Sequence, residues 1–352
     1  MNKKHLARVS TVFVRVMLPL ALVGFASIGS AQFDDPNAVP DKTAAGKTKG
    51  QPMKEPIEKL TAKGVQLDTP ETQFWTCGVS IRAIGGPCGE LFGTVSVPTD
   101  WPEQSVKLGK ENIMPTVKKV TYRTVEGGVK QMLITVPKLD PNENARALVT
   151  FEVTRHSLKP PADTTIFILP KKIPLAVKKH LAASPQIEAG NPKILKAAQE
   201  IMEGKSLAWE QVEALYDGVR ERVKYGNDKQ KGALAALSEG HAEREDLTGL
   251  FVAMCRSLKI PARIVWIPDS CYAEFYLEDD AGEGYWIPCY LAQEKKEFGF
   301  VSTHAPILQK GDNIKVPEKK EPQRFVAEFL TGKGGGGGRP QVEFVRRLDL
   351  MP

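Results

Sequence analysis

The sequence is poor in the residues that chemistry at neutral pH most often uses. It holds five histidines and five cysteines in 352 residues. His156, His180 and His304 stand alone, without metal-ligand spacing. His241-Ala242-Glu243 matches the H-x-E of zinc deaminases, but no P-C-x-x-C follows to supply the thiolates. A glycine run at 334–338 lacks the Lys-Ser/Thr ending of a phosphate loop, so nucleotide binding has no support. No metal and no cofactor is implied. Charge of one sign is not in excess either. The net charge is +6, and residues 1–31 contribute four basic residues and no acid, leaving 6 − 4 = +2 for the rest. Mixed charge near neutrality is no nucleic-acid footprint.

Those first 31 residues read as a secretory signal. Lys3, Lys4, Arg8 and Arg15 precede the apolar run MLPLALVGFASIG (17–29), and Gly29-Ser30-Ala31 supplies small residues for cleavage before Gln32. The run is short for a bilayer span. The expectation is export to a periplasmic or extracellular space, with no membrane span after cleavage. Residues 32–70, rich in Pro, Lys, Asp and Gly, read as a solvated tether.

Residues 71–170 read as an all-β unit of the immunoglobulin-like sandwich kind. FWTCGVSIR, GELFGTVSVP, VKKVTYRTV, VKQMLITVPKL, ARALVTFEVTR and TTIFILP are short and evenly spaced, with Gly, Pro and Asn between them. Gly127 and Gly128 mark a hairpin turn. Residues 171–330 change character. Two helices fit 191–225, with Trp209, Val212, Leu215, Tyr216, Val219 and Val223 on one stripe. LTGLFVAMCRSL (247–258) is apolar nearly all round and predicts a buried helix, which Pro261 ends. ARIVW (262–266) reads as a buried strand. AEFYLEDDAGEGYWIPCYL alternates, turns at DDAGEG and alternates again, as a hairpin does. In 331–352 the glycine run reads as a flexible loop or tether, and QVEFVRRLDL as a final strand.

The block 239–292 resembles the core of the transglutaminase-like superfamily, papain-type cysteine enzymes that cleave or transfer acyl groups at amide bonds. Leu250, Phe251, Ala253, Arg256, Leu258, Ile260, Pro261, Ala262 and Arg263, then Glu274, Phe275 and Tyr276, then Trp286 and Pro288, carry the likeness. It implies an α+β papain-like core preceded by the sandwich. Counting from these anchors, the family's nucleophilic Cys falls on Arg244, its His on Ser270 and its Asp on Tyr290. A guanidinium is always protonated, Ser270 activates nothing, and Tyr290 has no carboxylate to orient an imidazole. Glu243, Glu245 and Asp246 are expected to compensate Arg244 as salt-bridge partners.

The cysteines complete the reading. Cys77 and Cys88 lie in TCGVSIRAIGGPC and are placed to close a loop; Cys255 is a small core residue on the buried helix. In the family hairpin the His and Asp positions face each other, so a register pairing 270 with 290 also pairs Cys271 with Cys289. These two then form a cross-strand disulfide or pack as apolar thiols. Two functions follow. One is an exported, non-catalytic relative that binds a protein or peptide ligand or acts as a scaffold. The other is an active cysteine-dependent amide hydrolase or acyl transferase whose nucleophile has moved to Cys271 or Cys289. The second must find a base, and no histidine occurs between 242 and 303.

Overall fold

The computed structural model describes residues 60–226 and 229–349. The expected signal segment 1–31, residues 32–59 of the expected tether and residues 350–352, which include the last residue of the expected final strand, lie outside the described residues. In chain order the elements begin with β1 (Gln66–Ile84), β2 (Cys88–Val97), β3 (Gln104–Ile113), β4 (Lys119–Thr124), β5 (Lys130–Leu139), β6 (Asn144–Lys159) and β7 (Phe167–Ile168). Helices α1 (Leu175–Lys178), α2 (Pro192–Met202) and α3 (Ala208–Arg222) follow, then β8 (Lys224–Tyr225), α4 (Ala233–Glu239), β9 (His241–Ala242) and α5 (Arg244–Ser257). Strands β10 (Ala262–Ile267), β11 (Ser270–Asp279), β12 (Gly284–Tyr290), β13 (Glu297–Phe298), β14 (Gln309–Lys310), β15 (Phe329–Gly334) and β16 (Arg339–Asp349) complete the chain.

Two four-stranded antiparallel sheets, β16-β1-β6-β3 and β15-β2-β5-β4, make the sandwich. Alternate residues such as Trp75, Val79, Ile81, Leu91, Met132, Ile134, Val149 and Phe151 point between them and are buried. The expected hairpin forms between β4 and β5, with Gly127 and Gly128 both at φ 75. Three features depart from the sequence reading. Strand β3 was not foreseen, because it is almost wholly exposed and carries no apolar alternation. Of TTIFILP only Phe167–Ile168 is strand, and it pairs with β11 of the other sheet instead of joining the sandwich. The C-terminal segment is part of the sandwich: β15 pairs with β2 and β16 with β1.

The glycine run is consequently no loose tether. It forms the tip between β15 and β16, and Gly335 N–H donates to the Pro87 carbonyl (2.9 Å) while Gly338 N–H donates to that of Gly335 (2.9 Å). A Cβ on Gly334 would sit 1.7 Å from the Gly338 oxygen, whereas one on Gly335 meets nothing closer than 3.5 Å. Gly334→Ala is expected to cost about 1–3 kcal/mol. Gly335→Ala should be neutral, or stabilising by up to about 1 kcal/mol. Urea unfolding of both variants checks this, and equal effects would mean that the tip is not packed.

The second unit is α+β. Its sheet runs β13-β12-β11-β10-β14, with β7 beside the far end of β11. Helix α5 is buried continuously from Asp246 to Arg256, as an all-round apolar helix must be. It lies on one face of β10 and β11 with α2, α3 and α4 around it. Val212, Leu215, Tyr216, Val219 and Val223 are buried along α3, following the predicted stripe. The other sheet face meets the sandwich, where Arg155 of β6 donates to the Tyr272 hydroxyl of β11 (3.0 Å).

Candidate functional site

Helix α5 begins at Arg244. The Glu243 carboxylate caps it, accepting the Asp246 N–H (2.8 Å). The half-buried Arg244 side chain leaves the helix and reaches two loops. One guanidinium N–H donates to the Asp269 carbonyl, and another to the Tyr225 hydroxyl (3.1 Å); the guanidinium also sits 5.7 Å from the Tyr225 ring centre. Tyr225 is brought there by the short parallel pairing of β8 with β9, just before α5. Asp269 ends the two-residue turn between β10 and β11, where Ile267 pairs with Ser270. Its φ of 53 places it in the left-handed region, which Asp tolerates better than most residues.

Ser270 follows directly, and its hydroxyl bonds the Tyr290 hydroxyl. The Tyr290 carbonyl in turn accepts the Tyr216 hydroxyl (3.0 Å). Burial holds the Tyr290 phenol above its ordinary pKa, so it stays protonated at neutral pH. Ser270 and Tyr290 therefore meet directly, and Arg244 is tied to the same turn through the carbonyl of Asp269, the residue before Ser270. Tyr225 and Asp269 were missed by sequence reading. A turn carbonyl and a two-residue parallel bridge leave no pattern in a single sequence.

The acids beside Arg244 serve other partners. Glu245 accepts Gln230 Nε2 (2.6 Å), and Asp246 accepts the Lys231 N–H (2.5 Å) and lies 3.5 Å from Arg324. Burial first, then Glu243 and Asp246, push the Glu245 carboxyl up. Among the described residues no ion pair joins Arg244 to Glu243, Glu245 or Asp246, contrary to expectation. These carboxylates turn back to the first helical turn and the 230s loop, whereas Arg244 extends towards the Asp269 turn.

The cysteines are all free and all buried. Ala273, not Cys271, lies opposite Cys289, so the hairpin register differs by two residues from the expected one. The cause is the turn: Asp279 N–H bonds the Glu283 carbonyl (2.9 Å) across three residues ending in Gly282 at φ 78. Cys271 and Cys289 share the helix-facing side of the sheet as diagonal neighbours, not as a bridged pair. Ser270 and Tyr290 are diagonal for the same reason, and the length of tyrosine lets them meet. Cys77 and Cys88 belong to different sheets, Cys77 opposite Val149 and Cys88 opposite Leu139. Seven residues of strand separate Cys77 from the end of β1, roughly 23 Å at the strand rise.

Burial raises every one of these thiols, Cys271 to about 12, with Thr248 as its hydrogen-bond partner. Among the described residues no histidine bonds a cysteine. The buried thiols are thus neither ionised nor provided with a base.

Residues 195–291 match the sequence model of the transglutaminase-like superfamily, a span running from α2 past the end of β12. A solved candidate cysteine protease from Cytophaga hutchinsonii is similar at a TM-score of 0.52 and 15% identity, over 80% of this chain and 92% of that one. A solved candidate protease from Parabacteroides distasonis, 12% identical over 65% of this chain and 48% of its own, has a TM-score of 0.26, too low to bear on the fold. No curated protein matches the chain.

Proposed function

We propose that this chain, whose residues 195–291 are a transglutaminase-like domain, is a non-catalytic relative of the cysteine enzymes, exported and acting as a binding or scaffolding module for a protein or peptide segment. The observation carrying the reading is the guanidinium of Arg244 at the start of α5, where the resemblance puts the thiol. It is tied to the Asp269 carbonyl and Tyr225 hydroxyl. A thiolate there would gain from the helix N-terminus and an imidazolium partner. A guanidinium has no lone pair to attack with or to accept a proton. Ser270 and Tyr290 share a hydrogen bond, and neither brings the imidazole or the carboxylate that the family's base and its orienting group require. The half-buried Arg244 and the exposed Tyr225 ring remain at the surface, accessible to a ligand.

Two measurements test the reading. In glutamine-transfer and peptidase assays the protein should show no turnover. Under native conditions a thiol-reactive probe should label the cysteines about tenfold or more slowly than in urea, because all are buried and protonated. Activity abolished by a single Ala replacement at Cys255, Cys271 or Cys289 overturns the proposal and names the nucleophile. Restoring chemistry should need Arg244→Cys, Ser270→His and Tyr290→Asp together, because a thiol without its base stays protonated.

A further inference from the structure

A second surface lies away from Arg244 and Ser270, on the segment between β7 and α2, and β7 pairs with the opposite end of β11. Residues 164–187 contain no Asp or Glu and four lysines, Lys171, Lys172, Lys178 and Lys179. The segment is fixed from beneath. Phe167 and Ile168 pair with β11, Val177 is buried, and the buried His180 ring meets Trp286 edge-on at 5.2 Å. From this base the short α1 rises after Pro174, with Leu175 at its apex. Leu175 is 85% exposed, far more than any other large apolar residue described. Lys171, Lys172 and Lys178 are exposed around it and enter no ion pair among the described residues. One exposed acid, Asp163, touches the start of the segment, accepting the Thr165 N–H (2.9 Å) and hydroxyl (2.6 Å); the acids that touch the rest of it are buried and face inward. Glu278 accepts the Lys171 N–H (3.1 Å), and Asp312 accepts the Ser184 hydroxyl (2.6 Å) while paired with Arg256.

We infer that this segment docks the protein on an anionic phospholipid bilayer, with Leu175 in the headgroup–acyl boundary and Lys171, Lys172 and Lys178 at the level of the phosphates. Lysine stems reach along apolar surface and keep their ammonium groups at the polar boundary, so an apolar apex ringed by lysines suits that interface. A soluble polyanion would engage the lysines and gain nothing from Leu175. Docking is peripheral and needs no span; among the described residues no helix is long and apolar enough to cross a membrane. It stands independently of the reading of the cleft.

The test uses the full chain carrying Ala176→Cys labelled with an environment-sensitive fluorophore, the five native cysteines being buried. Emission should shift to the blue with vesicles of equal parts phosphatidylserine and phosphatidylcholine, not with phosphatidylcholine alone, and high salt should reverse it. Lys171→Gln, Lys172→Gln and Lys178→Gln together should weaken attachment roughly 100-fold, at about fivefold per lysine. Leu175→Ser should weaken it about tenfold or more while keeping the salt dependence. Heparin should compete without shifting the emission. Attachment through the apolar segment 17–29 would persist on phosphatidylcholine and in the triple-lysine variant, and that result overturns the proposal. So does an unchanged affinity on Leu175→Ser, or an equal blue shift with heparin.

Discussion

Arg256→Met is expected to lose about 3–5 kcal/mol of stability, the cost of breaking a buried ion pair by removing one partner. Arg256 leaves the last turn of α5 and saturates its guanidinium. Nε donates to the Ala262 carbonyl (2.9 Å), and Nη1 to the Ala182 carbonyl (2.9 Å) and the Ser184 hydroxyl (3.0 Å). Nη2 takes both carboxylate oxygens of Asp312 (3.0 and 2.7 Å). Both side chains are 1% exposed. The methionine variant strands a buried carboxylate and the buried Ala262 carbonyl at once. Asp312→Ala should cost a similar amount by stranding the guanidinium. Arg256→Met with Asp312→Leu should lose clearly less than the sum, because no unpaired charge remains. Urea midpoints for the three variants decide the matter. Single changes costing under about 1 kcal/mol would mean that the pair is not the anchor of α5.

Lys310→Met should be comparably costly, again about 3–5 kcal/mol. The Lys310 ammonium lies 2.8 Å from Glu103 and 2.9 Å from Glu274, and all three side chains are at most 3% exposed. Glu274 also accepts Arg263 Nε (2.7 Å), whose guanidinium stacks 4.0 Å above Trp286. Two cations thus balance two carboxylates. Glu103 precedes β3 in the sandwich, Glu274 sits on β11 of the other unit, and Lys310 on β14 joins them. Removing the lysine leaves two buried carboxylates against one guanidinium, at the seam between the units. Thermal unfolding should fall steeply for Lys310→Met. Adding Glu103→Leu should recover part of the loss by restoring charge balance. No recovery would place the cost in packing against the Trp101 ring, which the ammonium approaches at 5.2 Å.

The parts of this fold that were legible in sequence are those set by local periodicity. Helix α5 is apolar all round and is buried all round. The β11–β12 hairpin announced itself by alternation on either side of a glycine-bearing turn. Resemblance placed Arg256 and Arg263 among the scaffold positions, yet their partners, Asp312 and Glu274, lie 56 and 11 residues on, and no spacing rule reveals them. The convergence of Ser270 and Tyr290 was foreseen, but the register was not. The three-residue turn is centred on Ala281, one residue later than a 270–290 register requires, which moved every cross-strand neighbour by two and removed the proposed Cys271–Cys289 pairing. Strand β3 was invisible for a physical reason. It is an edge strand with Lys107 and Lys110 and a register shift between Leu108 and Glu111, features that protect an edge by suppressing the apolar alternation that marks a strand. The acids near Arg244 misled because charge proximity in sequence was read as pairing, while helix capping claimed one of them first.

The pairing of β1 with β16, continuous from Phe74–Asp349 to Ile84–Arg339, sets an order on synthesis. When β1 leaves the ribosome, its neighbour on one side is more than 250 residues away in the chain. At about 5–20 residues per second, on the order of 10–50 s pass before β16 is made. During that interval one side of β1 is an open sheet edge, the kind of surface that recruits other strands. The α+β unit is encoded between the two halves of the sandwich, so it can condense first while the sandwich waits for its last strand. A chain stalled between residues 313 and 338 therefore carries every element of the α+β core and an unclosed sheet. Nascent chains of that length should be more prone to intermolecular strand pairing than chains cut before β1.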